Sequence, residues 1–235
     1  MVHKYDFCTA FIIIVIYVGL MGLSSIPPLN NFECSILRMF FRSFLLLYLY
    51  IFGFLSKEKK KAFSFKYLPF FIILPFSNYF SLFFRNNVSF SFSFELFFYL
   101  IDCLLISFFE EAIFRSIILS GTYNEKTTWK YIIFSSLLFS FSHLLNGFNL
   151  STLIQLIYTF GLGVILSSIY YYGGGFFYSF LLHFMFNFFN GYLFSCFNGS
   201  KDWPSFIICN VVIGAIMTIY YFVLVYLRLK SKSKS

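Results

Sequence analysis

The sequence predicts an all-α membrane bundle of about eight transmembrane helices with both termini in the cytoplasm, and three observations predict it. Of the 235 residues, 60% are hydrophobic and 11% charged, against about 25% charged in an ordinary soluble domain. The apolar residues fall into runs near the length of about 20 that a helix needs to cross hydrocarbon. The cations are gathered beside those runs, on one side.

Phe supplies 40 residues and Tyr 18. A soluble protein of this size cannot hide so much apolar surface, whereas a bilayer receives it. The runs lie at roughly 7–23, 36–55, 68–84, 95–119, 130–146, 153–172, 175–197 and 205–227. Pro69 and Pro75 interrupt the third. Lipid leaves little alternative to helix for such segments, because unpaired backbone groups are costly there. The first run follows a short segment containing Lys4 and is expected to stay uncleaved, since no A-x-A site follows it. No soluble domain, repeat or long linker separates the runs, so residues 1–235 read as one integral membrane domain.

The net charge is +8, with five of the 17 cations between Lys57 and Lys66 and four in the basic tail 228–235. These clusters flank apolar runs instead of covering a face, which excludes nucleic acid and points to anionic lipid headgroups. With the N-terminus inside, Lys57–Lys66, the loop around Lys126 and Lys130, the turn Gly173–Gly175 and the tail are all cytoplasmic. Seven or nine spans would put one large cluster on the wrong side. Richness in Phe, Ile, Lys, Asn and Tyr is that of an AT-rich genome, which gives the multi-pass plasma membrane of a low-GC bacterium as the expected location. The five cysteines have no CxxC spacing, and most fall inside or beside apolar runs, where they read as small hydrophobes.

Ionisable groups inside a span are costly and mark function by default. The fourth run carries Asp102, Glu110, Glu111 and Arg115. The fifth carries His143, and the seventh carries His183 with Asn187. Glu111 and Arg115 stand at i, i+4 and can pair on one face, while Glu110 lies about 100° round the helix and is left to face a neighbour. His183 and Asn187 are also i, i+4. Counted from the cytoplasmic helix ends at about 1.5 Å per residue, Glu110, His143, His183 and Asn187 come out at roughly 14, 20, 12 and 18 Å, near one layer.

Hydrolysis is the chemistry such a layer supports. A carboxylate beside a histidine takes a proton from water and aims the hydroxide at a carbonyl. An imidazole and a carboxamide on one face hydrogen-bond the oxygen that gains charge. Blander readings stand beside this one. Glu111–Arg115 serves equally as a pair pinning the fourth span. His143, and His183 with Asn187, serve as interhelical hydrogen-bonding residues. Asp102 reads as structural, and Arg38 and Arg42 as residues that snorkel to the interface.

Three motifs occur in order on three separate spans: Glu-Glu-x-x-x-Arg at 110–115, Phe-x-x-x-His at 139–143 and His-x-x-x-Asn at 183–187. Together they resemble the CAAX protease and bacteriocin-processing (CPBP, or Abi) family of intramembrane proteases, which includes the type II CAAX prenyl endopeptidases. The resemblance covers about 95–190. It implies an endopeptidase that cuts a membrane-embedded or lipid-anchored peptide or protein. Glu110 would activate water with help from His143, His183 and Asn187 would form the oxyanion site, and Glu111 and Arg115 would support the first motif. Members have been described as metalloproteases, and a zinc held by Glu110, His143 and His183 is one version of the site. The amide of Asn187 is a poor zinc ligand, and a glutamate-dependent mechanism without metal is the version preferred here. In bacteria the family is linked to bacteriocin maturation and self-immunity. Two rival functions carry through: a non-catalytic immunity or regulatory protein of the same fold, and a small transporter using Glu110, Arg115 and the histidines as a polar pathway.

Overall fold

The computed structural model describes residues 12–17, 19–20, 31–51, 62–84, 88–91, 95–119, 128–146, 148–194, 196–198, 211–220 and 222–223. The cluster Lys57–Lys61, the loop around Lys126, the Lys201–Asp202 loop and the tail 228–235 lie outside the described residues. So do Arg85 and most of the predicted first run.

The described chain is almost wholly helical. A helical stretch over 12–17 is followed by α1 (Asn31–Ile51), α2 (Leu68–Ile73), α3 (Glu95–Glu111), α4 (Thr128–Ser142), α5 (Leu150–Ser168), α6 (Phe176–Phe186) and α7 (Val211–Tyr220). By length and composition, Glu33–Ile51 and Thr152–Gly173 can each cross a membrane, and Val211–Tyr220 is a shorter apolar helix. Three helices do not stop where their α-helical geometry stops. α3, α5 and α6 continue as π-helix over Ala112–Leu119, Ile169–Gly173 and Asn187–Leu193. π geometry is rare and is often found at functional sites. No periodicity in the sequence announces it.

Local chemistry sets the boundaries. Asn149 caps α5, its side chain accepting from the Thr152 amide at 3.0 Å. Pro69 sits in the first turn of α2, where its missing N–H costs no helical hydrogen bond. The prolines leave the third predicted span as a short α-helix between 3-10 segments, Phe65–Tyr67 and Leu74–Phe84. Gly174 and Gly175 turn the chain into α6 with φ of 138° and 94°, a region only glycine enters cheaply. One departure from all-α is a two-residue antiparallel pair, β1 (Ser89–Phe90) with β2 (Phe197–Asn198). It ties the connection before α3 to the end of the segment after α6.

Packing is inverted relative to a water-soluble domain. Arg42, Asp102, Glu111, Arg115 and His183 are buried, while Phe40, Phe44, Tyr50, Phe83 and Phe97 are exposed by more than half. Apolar surface on that scale belongs against lipid. One apolar core joins α2, α4, α5 and α6, and a second joins the 12–17 stretch, α1 and α3. α5 and α7 touch backbone to backbone, since a Cβ on Gly161 would lie 2.8 Å from the Gly214 carbonyl oxygen. Small residues permit such close crossings in membranes, where hydrophobic burial cannot drive helix association.

Arg42 corrects the snorkelling expectation. It is 5% exposed, forms a salt bridge and hydrogen bond with Asp102 on α3, and donates from Nε to the Tyr17 hydroxyl at 3.2 Å. Removing the guanidinium takes the salt-bridge partner from a buried carboxylate. Arg42→Met is therefore expected to destabilise by about 3–5 kcal/mol, and adding Asp102→Leu to recover most of the loss. Thermal unfolding of the single and double variants in detergent checks this.

Candidate active site

The site forms where α3 and its π continuation lie against α6. The two helices run antiparallel with matched contacts. Ser107 meets Asn187, Glu110 meets His183, and Glu111 meets Ser179. Positions 179, 183 and 187 are spaced by four along α6 and the first residue of its π continuation, so one face of that stretch supplies all three partners.

Glu111 is fully buried and has a partner on each oxygen. Oε1 accepts from His183 Nδ1 at 2.9 Å and lies 3.3 Å from Arg115 Nη1. Oε2 accepts from the Ser179 hydroxyl. The predicted Glu111–Arg115 pair is present. The expectation that Glu111 would be neutralised within its own helix is nonetheless too narrow, because α6 grips it as well. Arg115 is 0% exposed and donates from Nη2 to the Gly163 carbonyl at 3.3 Å. Its guanidinium carbon lies 4.7 Å from the centre of the Phe139 ring. Among the described residues Nη1 and Nε have no aligned hydrogen-bond acceptor, so Nη1 contributes charge to Glu111 without a well-directed bond.

Glu110 points at the same imidazole from the other side. Its Oε2 lies 3.4 Å from His183 Nε2, and its side chain is 14% exposed, the more open of the two carboxylates. Side chains about 100° apart on a helix can bracket one ring because Nδ1 and Nε2 face different directions. Asn187 Nδ2 donates to Ser107 Oγ at 3.0 Å, one turn before Glu110.

His143 stands apart. It begins a 3-10 turn at the end of α4, and its Nδ1 bonds the Phe139 carbonyl of its own helix at 2.9 Å. Its ring meets Phe139 edge-on at 5.0 Å, and that phenyl ring also meets His183 at 5.5 Å and Phe114 at 5.3 Å. Phe139 thus touches both histidines while also lying under Arg115. Among the described residues no three His, Cys, Asp or Glu side chains are grouped as ligands of one ion. Glu110, His143 and His183 are not gathered as one such group among the described residues.

Sequence reasoning missed Ser107, Ser179 and the role of Phe139. Ser179 lies four residues before His183 and Ser107 three before Glu110, so helical spacing alone could have found both. A second polar contact was also missed. Asn190, in the π segment, accepts from the Asn78 amide at 2.8 Å and donates to Ser77 Oγ at 2.8 Å and to the Leu74 carbonyl. It docks the proline-broken 74–84 segment beside the site.

Phe139→Leu removes the aromatic face from a buried guanidinium and leaves a gap. It is expected to destabilise by about 2 kcal/mol or more, whereas Phe141→Leu on the exposed face of α4 should be near neutral. Unfolding of the two variants in the same detergent makes the comparison.

Comparison with known proteins bears on the same stretch. Residues 92–189 match the family model described as type II CAAX prenyl endopeptidase Rce1-like. The matched segment contains Glu110, Glu111, Arg115, His143, His183 and Asn187. No curated protein and no solved structure matches the chain. Over residues 92–189 the chain is similar to the Rce1-like family of type II CAAX prenyl endopeptidases, a family of membrane-integral proteases.

Proposed function

We propose that this chain is an intramembrane endopeptidase that hydrolyses a peptide bond of a membrane-embedded or lipid-anchored peptide or protein. One observation carries the reading: a single buried imidazole, His183, lies between two adjacent carboxylates inside the family-matched segment. Glu110, the more open carboxylate, takes a proton from water. The hydroxide adds to the scissile carbonyl carbon. Charge develops on the carbonyl oxygen, where His183 Nε2–H and the Asn187 amide donate to it. Collapse breaks the C–N bond as Glu110 returns the proton to the leaving amine.

The charges suit these roles. Two carboxylates, Glu110 and Glu111, are faced by the Arg115 guanidinium and the His183 imidazole, so each has a polar partner. Glu111 holds His183 at Nδ1, so that Nε2 faces the Glu110 side, where the oxyanion forms. In this account the chain crosses the membrane eight times with both termini inside, and it resides in a bacterial plasma membrane. Peptide maturation or self-immunity is the setting it suits.

Farnesylated peptides ending in Cys-a-a-X serve as the test substrate, following the family description. Asn187→Ala is expected to lower kcat by about 10²–10³-fold with KM little changed, since the amide works on charge present only in the transition state. Wild-type activity is expected to survive chelation. A rise in KM at unchanged kcat, or a chelation loss restored by zinc, would contradict the reading.

A further inference from the structure

We propose that Ser179 is a positioning residue of this site: its hydroxyl fixes Glu111, and through Glu111 it holds His183 with Nδ1 protonated and Nε2 turned toward Glu110. The inference rests on the hydrolytic reading of the site for its kinetic consequence, though not for its geometry.

Ser179 is 0% exposed, and its Oγ lies within hydrogen-bonding reach of Glu111 Oε2 and of the Leu166 carbonyl, the latter at 3.0 Å. The hydroxyl has one proton and two oxygens to serve. An ionised carboxylate is the stronger acceptor, so the proton goes to Glu111 while the oxygen stays seated against α5. Glu111 is then clamped by two side chains one turn apart on α6, Ser179 on Oε2 and His183 on Oε1. A carboxylate held at both oxygens cannot rotate away, and as an acceptor it requires the proton on His183 Nδ1. This mirrors the way an outer carboxylate orients a catalytic histidine elsewhere. Arg115 cannot replace the serine, because its contact is to Oε1 and not to the oxygen that Ser179 holds.

The test compares Ser179→Ala with Ser168→Ala. Ser168 is an equally buried serine whose hydroxyl, among the described residues, bonds the Val164 carbonyl of its own helix, at 2.7 Å. Two readouts are taken on the full-length protein in detergent: steady-state kinetics with a farnesylated Cys-a-a-X peptide, and side-chain ¹⁵N resonances of its three histidines. Ser179→Ala is expected to lower kcat by roughly tenfold with KM within about twofold, as loss of one charge-assisted hydrogen bond implies. It should also move the His183 Nδ1 resonance, whereas Ser168→Ala should change neither. If Ser179→Ala does not fold, Ser179→Cys, similar in size but a weaker donor, should show both changes in smaller measure. An unmoved His183 resonance overturns the proposal, whether kcat is unchanged or falls only in step with stability. If Asn187→Ala proves fully active, the hydrolytic reading fails, and the resonance alone still decides what Ser179 does.

Discussion

Glu111 has no contact with water, and it stays tolerable there because Ser179, His183 and Arg115 meet its two oxygens from two helices. Burying a carboxylate is among the costliest acts available to a membrane helix, and only near-complete pairing offsets it. Once met, that requirement fixes much else. It sets the antiparallel register of α3 against α6, because Ser179 and His183 must both reach position 111. That register brings Glu110 to the far nitrogen of His183 and Asn187 to Ser107. It draws Arg115 inward over Phe139, and Phe139 in turn seats His143.

The surroundings keep this arrangement in place. Lipid gives no hydrophobic reward for bringing helices together, so polar contacts and small residues must do it. Arg42 with Asp102 holds α1 against α3, and Asn190 holds the proline-broken segment to the strip of chain that carries Asn187. Glycines supply the remaining approaches. A Cβ on Gly163 would lie 3.1 Å from both the Phe139 ring and Ser136, so the same small residue that lets α4 and α5 close also exposes its carbonyl to Arg115.

Contacts within one helix were open to reading from the sequence. The Glu111–Arg115 pair follows from spacing, as does the shared face of His183 and Asn187, and the turn at Gly174–Gly175 follows from its glycines. Contacts between helices were not. Arg42 and Asp102 lie 60 residues apart, and nothing in a helix that is apolar all round says which face meets a neighbour. For the same reason Glu111 was credited with one partner when it has three. The π segments also escaped, since their residues, such as Ala112–Leu119, are ordinary helix formers whose wider winding reflects tertiary packing. Counting residues gives the depth of His143 but not that Phe139 touches both it and His183.

The claim that matters most is that the paired carboxylates serve hydrolysis. It is tested most directly by comparing the membrane-associated peptides of cells carrying the wild-type chain with those of cells carrying Glu110→Gln, a change that removes the base while barely altering shape. The account predicts at least one peptide terminus that appears only with the wild type. Identical peptide sets, with both proteins present at equal level in the membrane, would contradict it.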